Sequence, residues 1–204
     1  MIAVIDYGVG NLFSVEKALL QFSDDVAVTG DADVIRSADK LVLPGVGDFG
    51  ECMANLEATG LISCIMERLQ AGTPMLGICI GMQILFEGSE ESPGAKGLGL
   101  FKGMVRRINA PGLKVPHMGW NSVSFSEPRL PIFKGLSEHP YYYFVHSYHA
   151  VPEDASIITA TAEYGETITA AVAKDNIMAT QFHPEKSGTV GRGILLAFKE
   201  MISC

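Results

Sequence analysis

A cysteine lies between two glycines in Gly77-Ile78-Cys79-Ile80-Gly81, where an apolar strand signal at 74–79 meets a helix signal at 81–87. Glycines flanking a nucleophile permit a sharp strand-to-helix reversal, because such a turn crowds any Cβ placed in it. The reversal lifts the side chain above the end of the strand. The next backbone N–H, on Ile80, can then face a developing oxyanion, and a helix start favours the thiolate. A cysteine between apolar residues is also commonly a small core hydrophobe, and the elbow pattern alone leaves both readings open.

A thiol nucleophile needs a base to take its proton, and the base needs an acceptor to orient it. Gln181-Phe182-His183-Pro184-Glu185 supplies His183 and Glu185 at the end of a strand signal, with Pro184 stiffening the turn between them. A single His-x-Glu is common on surfaces; its occurrence together with the elbow is far less so. Pro44-Gly45-Val46-Gly47 closes another strand signal, and its glycines allow backbone N–H groups to turn toward a substrate. Stopping the strand is its plainer role. No phosphate-binding G-x-x-x-x-G-K-[ST] occurs, and Asp6-Tyr7-Gly8-Val9-Gly10-Asn11 is an incomplete dinucleotide turn because residue 13 is Phe. His146 and His149, taken as one strand, point to opposite faces, while His117 and His139 are isolated. No metal site and no cofactor are therefore expected.

These residues need elements to hold them. Apolar runs at 2–8, 40–45 and 74–79 alternate with helical spacing: Leu12, Val15, Leu19 and Phe22 follow a cap at Asn11, and a longer helical stretch at 52–70 breaks near Gly60. From 97 to 181 the signal becomes short strands punctuated by turn residues. Val190, Ile194, Ala197, Phe198 and Met201 then form one face of a closing helix, and 87–97 is the only linker-like stretch. The expected fold is an α/β open, mostly parallel sheet with helices on both faces and additional antiparallel strands in the second half. It should form one domain over 1–204, with no internal repeat and no second core.

Composition narrows the function classes. At 204 residues and 48% apolar, the chain buries a full core without disulfide or metal, and disorder is excluded. Fifteen basic against 23 acidic residues leave a net charge of −8, which argues against nucleic-acid or anionic-membrane binding. No run approaches 18 apolar residues, and MIAVIDYG lacks the basic start of a signal peptide. Cys52, Cys64, Cys79 and Cys204 form no C-x-x-C pair, so reduced thiols and a cytoplasmic location are expected.

PGVG, GICIGMQ and QFHPE, in this order, resemble the class I, triad-type glutamine amidotransferases. DYGVGN at 6–11, VPHMGWN at 115–121, YYYFVHSY at 141–148 and HPEKS at 183–187 are similar, within that family, to glutaminase subunits of imidazole glycerol phosphate synthase. The resemblance spans nearly the whole chain. It implies that Cys79 attacks the side-chain amide of glutamine to form a thioester, with His183 exchanging the proton and Glu185 orienting the imidazole. The oxyanion would rest on the N–H of Ile80 and one from the Gly45, Val46, Gly47 segment, with Val46 the residue expected to turn. Gln83 and the backbone of Ser147 and Tyr148 would hold glutamine. Ammonia would pass to a (β/α)8-barrel cyclase subunit, the heterodimer partner, for histidine biosynthesis, and Asn11, Trp120, Tyr143 and Lys186 would face that partner. Cys52, Cys64 and Cys204 are expected to be dispensable for the chemistry. Asp48 stands where the family suggests a small residue, and solvent is its expected direction. The rival readings are a glutaminase feeding another synthase, and a thiol peptidase-like hydrolase, which has no need of Gln83 or His-Pro-Glu.

Overall fold

Runs such as Ile2-Ala3-Val4-Ile5 and Leu41-Val42-Leu43 are wholly apolar because both faces of their strands are covered. The computed structural model describes residues 1–201; Cys204 lies outside them. In chain order, the first half contains β1 (Ile2–Ile5), α1 (Leu12–Leu19), β2 (Val26–Thr29), α2 (Ala32–Ser37), β3 (Lys40–Gly45), α3 (Phe49–Thr59), α4 (Ile62–Gln70), β4 (Met75–Cys79) and the single turn α5 (Ile80–Gln83). The second half adds β5 (Gly88–Ser89), β6 (Gly103–Arg107), β7 (His117–Ser122), β8 (Ser124–Phe125), β9 (Tyr141–His146), β10 (Tyr148–Pro152), β11 (Ile158–Glu163), β12 (Thr167–Lys174), β13 (Ile177–Thr180) and the closing α6 (Gly188–Glu200).

The main sheet runs β2-β1-β3-β4-β13-β12-β11-β8. Its first five strands are parallel, and the last three continue antiparallel. Helix α1 packs with α6 and α2 with α4, the two-layer cover that right-handed crossovers give a parallel sheet. The expected fold class is what the chain adopts. Beside the sheet stand a β7–β9 ribbon and a three-stranded β10-β6-β5 sheet. A small cluster of Ile108, Ala110 and Ile168 sits apart from the main core, where the sequence reading expected no second one. Among the described residues no helix is long and apolar enough to cross a membrane.

Four local readings need correction. Lys40–Gly45 is the third strand of the chain, not the second: Val26–Thr29 precedes it as the sheet edge. The apolar run of this edge strand, Val26-Ala27-Val28, is only three residues long and all four strand residues are half-buried, so it carries a weaker signal than the central strands. The helix read at 81–87 is only one turn. It stops because the carbonyls of Ile84, Leu85 and Phe86 are taken by the N–H groups of Leu98, Phe101 and Gly99, a tertiary competition that no local pattern shows. The 87–97 stretch is no linker either: Glu90 N–H donates to Val105 O, and Ser92 and Glu91 bond to the start of α3. Finally, the apolar run at 141–150 is two strands in two different sheets, separated at Ser147. The break near Gly60 is as read, with Gly60 in the left-handed conformation at φ 71°.

Strand β4 lies between β3 and β13, with Gly45 level with Cys79 and Thr180 level with Ile78. Residues about 100 positions apart thereby share one end of the sheet. The fit is tight. A Cβ on Gly81 would lie 1.9 Å from the Leu43 carbonyl oxygen, and one on Gly45 would lie 2.6 Å from the Gly81 nitrogen. Gly81→Ala is expected to destabilise the chain by about 3 kcal/mol, read as a lower midpoint in denaturant. A midpoint within error of the parent would show that the close approach is not required.

Candidate active site

Cys79 is the residue that makes the reversal, and it does so with its own backbone. Its φ of 57° and ψ of −112° are conformations that side-chain-bearing residues rarely adopt. Gly77 and Gly81 are required for space: a Cβ on Gly77 would meet the Gly81 carbonyl at 2.9 Å. The expected crowding at both glycines is thus present, while the strain falls on the cysteine. The side chain lines a cavity of about 380 Å³ with Val46, Gly47, Ile80 and Gln83. Ser147, Tyr148, His183, Lys186 and Glu91 are also among the residues that line it.

His183 follows β13 and is fixed through its backbone: its N–H donates to Tyr143 O, and Ser187 Oγ donates to its carbonyl. Its ring Nδ1 and Glu185 Oε1 are 2.8 Å apart, with the two side chains 2% and 1% exposed. Nε2 has no hydrogen-bond partner among the described residues and is buried. Burial by itself lowers the imidazole pKa, but the adjacent Cys79 and Glu185 outweigh it, and His183 is raised to about 9. The pair is therefore built to hold a proton on the imidazole next to the cysteine sulfur.

The segment after β3 is pinned on both sides. Tyr7 donates its hydroxyl to Pro44 O at 2.7 Å, and the Cys52 thiol donates to Val46 O at 3.3 Å. Between those two carbonyls lies the Gly45–Val46 peptide. Because C=O and N–H oppose each other in a trans peptide, the Gly47 N–H is turned away from Cys52. Cys52 is thus buried with a definite partner, and Cys64 likewise donates to Leu61 O. Asp48 does not project into solvent as expected. It caps α3, accepting from Gly50 N–H at 2.8 Å and Glu51 N–H at 3.0 Å, and Ser92 Oγ donates to its carboxylate.

Gln83 reaches across the cavity floor. Its Nε2 donates to Tyr148 O and to Gln181 Oε1, both at 2.9 Å, which leaves Oε1 buried without a partner. Two features of the site escaped the sequence reading. Glu91 lines the cavity, accepts from Phe49 N–H at 3.1 Å, and has its pKa raised by burial; nothing local separates it from the solvated acids of Ser89-Glu90-Glu91. The other is a histidine pair. His117 is not isolated, and His146 and His149 are on different strands. Tyr148 O has no proton to give, so His146 Nδ1 donates to it at 2.8 Å. His146 Nε2 then accepts from His117 Nδ1 at 2.9 Å, and His117 Nε2 accepts from Asn121 at 3.2 Å. His117 is sandwiched between Phe144 and Tyr164, and His149 instead sits 3.6 Å from Glu166.

The residues expected on a partner-facing side fall near one another. Trp120 is 55% exposed and meets Tyr143 edge-on at 6.3 Å, and Lys186 Nζ lies 6.0 Å from the Tyr143 ring. Asn11 caps α1 through Ser14 N–H and lines a small pocket with Val46, His183 and Glu185. Met118 and Tyr141, 62% and 59% exposed, extend the apolar surface of the β7–β9 ribbon.

This geometry can be set beside known proteins. The family model for glutamine amidotransferase class-I matches residues 3–202. The chain belongs to the class-I glutamine amidotransferase family. It is 51% identical over 209 residues to an imidazole glycerol phosphate synthase subunit HisH from Syntrophotalea carbinolica, covering 98% of this chain and all of that one. It is 50% identical to the HisH subunit of Methanothermobacter thermautotrophicus, with 99% of each covered. Among solved structures, PurLQS from Thermotoga maritima superposes with a TM-score of 0.77 at 19% identity, covering 97% of this chain and 96% of that chain. The glutaminase domain of CTPS from Trypanosoma brucei superposes with a TM-score of 0.66 at 18% identity, covering 97% and 91%. Both share the fold of this amidotransferase.

Burial is the largest cause lowering His117 to about 4 and His146 to about 3. The unfolded chain protonates these rings near pH 6.5, whereas the folded one holds them neutral. Their contribution to stability is therefore complete above about pH 6.5 and declines as pH falls toward their folded values. The thermal midpoint is expected to drop between about pH 6.5 and pH 5, before ordinary carboxylates titrate, while the imidazole proton resonances of both residues stay unshifted. Resonances that titrate near pH 6.5 would overturn this.

Proposed function

We propose that this chain hydrolyses glutamine to glutamate and ammonia through a Cys79 thioester, and delivers the ammonia to a (β/α)8-barrel cyclase subunit. One arrangement supports the reading above all: a strained cysteine elbow beside a buried His183–Glu185 pair at the mouth of a small cavity. A thiol peptidase would need an open groove for chain on both sides of the sulfur, whereas this cavity is at the small end of ligand sites. The relatives' name, imidazole glycerol phosphate synthase subunit, supports imidazole glycerol phosphate as a product of the partner; aminoimidazole carboxamide ribotide as the second product and a cytoplasmic setting belong to the same proposal.

In this scheme the Cys79 thiolate adds to the amide carbon of glutamine. The N–H of Ile80 and an N–H of the Gly45–Val46–Gly47 segment stabilise the oxyanion. The C–N bond breaks as His183 Nε2 gives its proton to the departing nitrogen. Water then adds to the thioester, losing a proton to His183, and C–S cleavage restores the thiolate. Glu185 holds the imidazole and balances its charge without taking the proton. Gln83 offers only its Oε1, because its nitrogen is consumed internally. It therefore accepts from a substrate donor, and with Glu91 suits the α-ammonium of free glutamine, while the backbone at Ser147 and Tyr148 lines the opposite wall.

Cys79→Ala is expected to lower glutamine hydrolysis by roughly 10⁴-fold with the fold intact, His183→Ala nearly as much, and Glu185→Gln least. Steady-state assay of the three variants decides the roles. Full activity in Cys79→Ala would remove the assignment, and a Glu185 variant worse than His183→Ala would reverse the roles.

A glutaminase that ran alone would waste glutamine. Hydrolysis should be weak in the isolated chain and rise strongly with the liganded barrel subunit. Lys186 lies between the cavity and the Trp120–Tyr143 surface, so Lys186→Ala should reduce that stimulation more than it reduces the basal rate. Equal basal and stimulated rates in the parent chain would dispose of the coupling.

A further inference from the structure

Gln181 is wholly buried, and it belongs neither to the triad nor to the glutamine-binding set, although Gln83 donates to it. It stands one residue beyond the pairing of Thr180 with Ile78, which brings it level with Cys79 on the neighbouring strand. Its own N–H donates to Ala170 O at 2.8 Å, so β12 fixes its backbone. The orientation of its side chain follows from acceptors alone. Tyr148 O can only accept, so Gln83 must present Nε2 to it. The same Nε2 is 2.9 Å from the Gln181 side chain, which must answer with its oxygen. The remaining end of the Gln181 amide, Nε2, is thereby aimed at Cys79 Sγ, 3.8 Å away.

We propose that Gln181 is a further catalytic residue, a permanent N–H donor to the sulfur of Cys79. The proposal rests on reading Cys79 as the nucleophile. Its chemical value lies in a division of labour. The His183 proton also faces the thiolate, but it must leave for the ammonia nitrogen during the first half of the reaction. A carboxamide cannot give up its proton at neutral pH, so Gln181 stabilises the sulfur anion without entering the proton transfers. It therefore raises the fraction of thiolate available for attack, and it stabilises the charge that returns to sulfur when the thioester is cleaved. In that cleavage the bond strengthens as charge develops on sulfur, so it contributes to the step itself.

The test uses the full chain with Gln181→Met, which keeps length and loses the donor, and Gln181→Glu, which puts a carboxylate by the sulfur. The rate of iodoacetamide modification at Cys79, located by peptide mass analysis, is followed against pH. Its midpoint should rise by about one pH unit in Gln181→Met and further in Gln181→Glu. The kcat for glutamine should fall about tenfold or more, with KM little changed. Unmoved midpoints in folded variants would overturn the proposal, even if kcat fell. A measurement on the parent chain stands independently of variant folding: the side-chain NH2 resonances of Gln181 should shift with the same midpoint as Cys79 modification, and resonances that ignore it would also overturn the proposal. Failure of the nucleophile reading is seen separately, as glutamine hydrolysis that survives Cys79→Ala.

Discussion

The backbone reversal at Cys79 is the constraint on which the catalytic end of this molecule depends. A cysteine at φ 57° costs on the order of 1–3 kcal/mol, and such strain persists only where the surroundings over-determine it. Here they do so by contact. Gly81 lies against the Leu43 carbonyl, Gly45 against the Gly81 nitrogen, and Gly77 against Ala179. Three parallel strands are thus drawn together at the point where the sulfur emerges. If any one of them moved outward, the reversal would relax and the sulfur would leave the cavity.

Charge is arranged on top of this frame. His183 and Glu185 are buried side by side, and a buried pair stabilises little when both desolvation penalties are counted. What the pairing does, against the opposing effect of burial, is keep the imidazole protonated next to Cys79 at a pH where a free histidine is mostly neutral. Tying the backbone of His183 to β9 and to Ser187 means that the ring is held by the sheet and ribbon together. The ribbon is also where Trp120 and Tyr143 lie, so the exposed aromatic surface and the catalytic base share a support.

A second convergence is the carbonyl of Tyr148. It accepts from Gln83 and from His146, and through His146 it is joined to His117 and Asn121 of β7. One oxygen with no proton of its own sets the orientation of two glutamine amides and the tautomers of two histidines. The segment at Ser147 and Tyr148 is therefore positioned from both sides of the cavity.

Much of this was legible in the residues themselves. Gly77-Ile78-Cys79-Ile80-Gly81 marks the elbow because no other residue fits beside the turn, and His183-Pro184-Glu185 marks the base because adjacent residues need no fold to be near each other. The parallel character of the central strands follows from their unbroken apolar runs. What the sequence could not carry were relations between distant residues. His117 looks isolated in sequence and His146 looks placed only with His149, yet His117 and His146 are one hydrogen-bonded pair, because β7 and β9 align them. Asp48 reads as a stray carboxylate until Ser92 and the first turn of α3 close on it. The helix after the elbow ends early because residues 98–101 claim its carbonyls. Local steric rules fixed which residues could react; pairing and competition for hydrogen bonds between residues distant in the chain decided which of them meet, because those depend on register and not on spacing.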